Sequence, residues 1–84
     1  MNIFYDNRPL KQLVINTLRH YSAFRLPLKA TEIYKNLPGE CGFTELLVLL
    51  EDLVDNGYID RHNGYYGLDW DLKQMVDERL VACN

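Results

Sequence analysis

An α+β fold, mostly helical, is predicted for this 84-residue chain: three helices, a short strand, a two-stranded hairpin and an added C-terminal helix. Three observations predict it. Apolar residues recur at spacings of three and four in two long segments, 10–24 and 44–54, which is the period of one helical face. Asn-Gly occurs twice, at 56–57 and 63–64, and this dipeptide tolerates the positive φ that a helix stop or a tight reversal needs. Between and beyond those pairs lie short β-prone runs. The length suits one domain, 1–84, with its core over 10–68 and the last helix over 70–83.

The first helix carries Leu10, Leu13, Val14, Leu18, Tyr21 and Phe24 on one face, with Pro9 suited to its first turn and Pro27 set against its continuation. Ile15 lies well off that face. Leu26-Pro27-Leu28 reads as extended. A second helix covers Thr31 to Leu37, turning Ile33, Tyr34 and Leu37 inward, and Pro38-Gly39 ends it. Thr44 is the expected N-cap of the third helix, with Phe43 and Val48 as a hydrophobic staple and Leu46, Leu47, Leu50, Leu53 and Val54 on the buried face. Asn56-Gly57 falls where that periodicity stops. Tyr58–His62 and Tyr65–Leu68 then form a hairpin across a type I′ turn at Asn63-Gly64. Asp69 or Asp71 caps the last helix, on which Leu72, Val76, Leu80 and Cys83 make a stripe with Met75 beside it.

Net charge is −3, but the halves differ: residues 1–42 hold six basic against three acidic side chains, and residues 43–84 hold three basic against nine acidic. Any electrostatic preference is therefore two-faced. Cys41 and Cys83 are too few and too far apart for a disulfide framework, and no secretory leader or membrane span is found, so a cytoplasmic chain with free thiols is expected. His20 and His62 are not spaced as metal ligands, and there is no Gly-rich phosphate loop or nucleophile elbow. No enzyme, cofactor or metal is expected.

The segments ATEIYKNL and FTELLVLLEDLVDNGYIDRHNGYYGL carry a resemblance: helix, short strand, helix, helix, hairpin is the order of the winged helix-turn-helix family, and the match covers roughly residues 10–68. The form Leu-x-x-Leu-Val-x-x-Gly-Tyr-Ile looks like that family's corner between the third helix and the wing. Two places depart from it. The link PGECG is longer than a tight helix-turn-helix corner, and Lys29 stands where a capping Ser or Thr is common, so the second helix either starts at Thr31 or lacks its cap. The resemblance implies duplex DNA binding, with the third helix in the major groove and the wing on the backbone or minor groove.

The charges oppose that implication. At about 100° per residue the outward face of the third helix holds Thr44, Glu45, Val48, Glu51, Asp52, Asp55 and Asn56, four of them carboxylates and none basic. A phosphate-lined groove repels such a face. The expected function is thus a non-enzymatic module working by protein–protein contact, an adaptor or a small inhibitor whose carboxylates imitate a nucleic-acid backbone on a basic partner surface. Glu45, Val48, Glu51, Asp52, Asp55 and Tyr65 are its expected contacts. Tyr65 enters because it and Tyr66 are adjacent in a strand, so that only one is expected in the core. The alternative is a small DNA-binding regulator led by Arg61, His62 and Asn63 at the hairpin tip, dimeric through Leu72, Val76 and Leu80.

Overall fold

The computed structural model describes residues 8–37 and 41–82. Its elements are α1 (Arg8–Ser22), β1 (Leu28–Lys29), α2 (Ala30–Lys35), α3 (Phe43–Asp55), β2 (Asp60–His62), β3 (Tyr65–Gly67) and α4 (Leu72–Ala82). The three strands form one antiparallel sheet in the order β1-β3-β2, with Leu28 opposite Tyr66, Lys29 opposite Tyr65, and Arg61 opposite Tyr66. The expected stop at Pro38-Gly39 and the residue Cys83 lie outside the described residues.

Two helix ends share one device. After α3, Tyr58 N–H donates to Leu53 O at 2.9 Å and Gly57 N–H to Val54 O at 3.0 Å, with Gly57 at φ 77°. That is a Schellman motif with glycine at the left-handed position, as the first Asn-Gly pair predicts. After α1 the same two bonds recur, Leu26 N–H to Tyr21 O at 3.0 Å and Arg25 N–H to Ser22 O at 2.9 Å, but the left-handed residue is Arg25 at φ 55°. An arginine there costs on the order of 1 kcal/mol relative to glycine. Its guanidinium offsets part of that cost by pairing with Asp71 and Glu78, each at 3.1 Å. The second Asn-Gly pair makes the hairpin turn, with Asn63 at φ 52° and Gly64 at φ 80°, both positive as a type I′ turn requires.

α2 and α3 start differently from expectation. α2 begins at Ala30 with Lys29 in the cap position and no side-chain cap; instead the Glu32 carboxylate accepts the Lys29 backbone N–H at 2.8 Å. α3 begins at Phe43, not after Thr44, with Gly42 as N-cap and Glu45 accepting the Gly42 N–H at 3.3 Å. An N3 carboxylate serves both helices, reaching back to the cap backbone as in half of a capping box. Phe43 is thereby drawn into the helix and meets the Tyr34 ring edge-on, centroids 5.4 Å apart, so the Phe43–Val48 staple gives way to a tie between α2 and α3.

The core has two parts. Val14, Leu18, Leu28, Ile33, Leu46, Leu49, Leu50, Leu53, Ile59 and Tyr66 fill the space between α1, α2, α3 and one sheet face. Tyr65, Leu72 and Val76 close the other face under α4. Leu49, and not the expected Leu47, faces inward, and Leu47 is exposed. The run Leu46-Leu47-Val48-Leu49-Leu50 leaves the phase of the buried stripe open, and only packing settles it. Leu13 and Phe24 also leave the expected apolar face of α1: Leu13 is exposed on its flank, and Phe24 lies in the turn beyond its end. Ile15 packs against the core edge.

Candidate protein-interaction face

The outward face of α3 presents Thr44, Leu47, Val48, Glu51 and Asp55, bordered by Glu45 and Asp52. Val48 is 67% exposed and Leu47 40%. Because the staple is not made, nothing in the fold explains a bulky aliphatic at Val48.

The four expected carboxylates differ in what surrounds them. Glu51 accepts a hydrogen bond from the Arg61 guanidinium at 2.5 Å, so the hairpin leans on α3 and Arg61 holds its proton more tightly for it. Asp52 pairs with Lys11 of α1 at 2.6 Å, and that bond, with the lysine charge, lowers its pKa. The Asn56 amide adds a further bond to Asp52 at 3.1 Å. The expectation of four carboxylates with no basic neighbour is therefore corrected: α3 itself supplies none, but α1 and β2 each supply one. Glu45 is engaged at the start of its own helix, and burial together with its charge pushes the Cys41 thiol up. Asp55 is exposed and makes no ion pair among the described residues.

Tyr65 is not on this face. It is 5% exposed, and Tyr66 is 7% exposed. The two rings do point to opposite sides of β3, but α4 covers the second side, so both are buried and Tyr65 is no surface contact. Lys29 Nζ and the Arg79 guanidinium lie 5.5 and 5.0 Å from its ring centroid. Arg79 in turn donates to Pro27 O at 2.6 Å and forks onto Glu32, one arm at 2.7 Å. Ser22 donates to the Asp69 carboxylate on the same side.

The stripe assigned to self-association is split by this docking. Leu72 and Val76 are buried within the chain, with Met75 beside them, while Leu80 stays exposed. Leu72 and Val76 are thus unavailable to a second copy. At the hairpin tip, Asn63 is exposed, His62 is half-buried, and Arg61 is committed to Glu51.

Other features were not anticipated from sequence. Trp70 is 94% exposed and Phe24 70%, on two segments tied together by Ser22–Asp69 and Arg25–Asp71. Trp70 stands between two aspartates whose carboxylates engage the side chains of Ser22 and Arg25. A groove of about 320 Å³ lies between α1 and the end of α3, lined by Arg8, Lys11, Gln12, Ile15, Leu53 and Tyr58. Among the described residues, no group of three or more His, Cys, Asp or Glu is placed to hold a metal, and no helix is long and apolar enough to cross a membrane. No protein-family model, curated protein or solved structure matches the chain.

Proposed function

We propose that this chain is a non-enzymatic winged-helix module that acts by protein–protein contact, turning the outward face of α3 to a basic partner surface. The observation that carries the reading is Val48, largely exposed on a rigid helix whose surface holds four carboxylates and no lysine or arginine. The sheet order β1-β3-β2, with a type I′ hairpin following α3, supports the winged-helix assignment. Internal pairing of Glu51 and Asp52 favours an adaptor or inhibitor that uses mixed apolar and acidic contacts over an imitation of a phosphate row.

The alternative, duplex DNA bound through Arg61, His62 and Asn63, asks Arg61 to leave Glu51 and asks phosphates to approach the remaining carboxylates. One experiment separates the two. A labelled random duplex and a labelled oligolysine peptide are each titrated with the protein at about 20 mM salt, where exposed charges are weakly screened. Oligolysine is expected to bind, Asp55→Lys to weaken it, and the duplex to stay free. Duplex binding that falls steeply with salt, or no binding of oligolysine, overturns the reading.

A further inference from the structure

Around α3 the side chains do not sort into one acidic patch and one apolar patch. At about 100° per residue, Val48 lies between Glu45 and Asp52 on one side and Glu51 and Asp55 on the other, and Leu47 and Phe43 follow beyond Glu51, toward Tyr34 of α2. Apolar and acidic side chains therefore alternate across the face. A surface that imitates a nucleic-acid backbone needs carboxylates free to meet cations, and no aliphatic group between them. Here Glu51 and Asp52 already hold Arg61 and Lys11, and a valine that is 67% exposed stands among the carboxylates.

We infer that this face takes a basic amphipathic helix of the partner. Resting on the protein-binding reading above, the inference fixes the partner's chemistry. An aliphatic stripe repeating at three and four residues sets on Leu47 and Val48, and a lysine or arginine flanking that stripe meets Asp55. Partner cations that reach Glu51 or Asp52 only replace Arg61 or Lys11, one ion pair for another, and contribute little net affinity. The two apolar side chains then carry discrimination between partners, while Asp55 steers encounter.

The probe is a labelled 18-residue peptide of leucine and lysine with leucines at helical spacing, compared with a scrambled peptide of identical composition that has no apolar face. At about 150 mM salt, where surface charges are screened beyond roughly 8 Å, the patterned peptide is expected to bind at least tenfold tighter than the scrambled one. Val48→Asp is expected to remove most of that tenfold preference, and its far-UV circular dichroism should match wild type because Val48 is not in the core. Asp55→Lys should weaken both peptides by a similar factor. Equal binding of the two peptides, or a preference untouched by Val48→Asp, overturns the inference. If oligolysine binds at low salt and the patterned peptide shows no preference, this inference falls and the basic-partner reading stands; if no basic probe binds, both fall.

Discussion

Replacing Arg79 with methionine tests how α4 is held. Arg79 forks onto Glu32, donates to Pro27 O and lies over the Tyr65 ring. Its side chain is 17% exposed and that of Glu32 32%, so the pair sits between a solvated ion pair, at about 0–1 kcal/mol, and a fully buried one, at about 3–5 kcal/mol on breaking. An intermediate value of about 2 kcal/mol is taken for it. Leaving Pro27 O without its donor adds on the order of 1 kcal/mol, and the ring contact about 0.5 kcal/mol. Methionine keeps the apolar stem, and neighbouring terms do not fully add. The expected loss is about 2–3 kcal/mol, out of a total near ~4–12 kcal/mol for a domain of this size, with Tm lowered by roughly 10–20 °C. Urea melts followed by far-UV circular dichroism should show a lower midpoint at unchanged slope. Arg79→Lys, which keeps the charge and loses the fork, should cost roughly half as much. A cycle of Arg79→Met with Glu32→Gln should return a coupling of about 1 kcal/mol or more. If Arg79→Met stays within about 0.5 kcal/mol of wild type, α4 is not held this way and the reasoning is refuted; a large loss with no coupling assigns the effect to packing instead.

The remaining predictions concern pH, backbone and an exposed ring. The bond from Arg79 holds Glu32 below its ordinary pKa of 4.5, so its contribution is complete above about pH 4.5 and is lost as pH falls through the lower folded value. Glu32→Gln should flatten the acid limb of a stability–pH profile measured by chemical denaturation, and an unchanged limb would count against the pairing. Gly57→Ala meets no atom within 4 Å, so its cost is conformational, about 1 kcal/mol from forcing alanine to φ 77°, read as a lower urea midpoint. Trp70→Ser should leave stability within about 0.5 kcal/mol, and the native emission maximum should already lie near that of the unfolded chain, because the indole is 94% exposed. A strongly blue-shifted native spectrum would show that the ring is covered in solution.

What could be read from sequence follows from where the constraint is local. Gly57 and the pair Asn63–Gly64 announce their conformations, since few other residues adopt positive φ cheaply, and both turns formed where expected. Arg25 carries no such mark. Its left-handed conformation accompanies ion pairs with Asp71 and Glu78, more than forty residues along the chain, which no local pattern reports. Spacing also cannot phase the five-residue aliphatic run of α3, so Leu49 takes the buried place expected of Leu47. Tyr65 was misplaced because a strand's alternation says which residues share a face and not whether the second face is covered. Its cover, α4, buries Leu72, Met75 and Val76 but leaves Leu80 and Val81 outside, a weak stripe that hides the docking. Within the candidate site, the exposure of Val48 and Asp55 was legible from helical phase, whereas the pairing of Glu51 with Arg61 and of Asp52 with Lys11 needed the packed elements.

The ties that fasten α4 have a kinetic consequence. Ser22–Asp69, Arg25–Glu78 and Arg79–Glu32 span 47, 53 and 47 residues of chain. Closing such loops gains little until α1, α2 and the sheet already stand in place to receive the helix. In a refolding experiment, α4 is then the last element to consolidate and the first to open, and amides on the Tyr65 side of the sheet should exchange with solvent sooner than those against Leu50 and Leu53. Destabilising changes in α4 should accordingly speed unfolding while leaving the folding rate nearly unaltered.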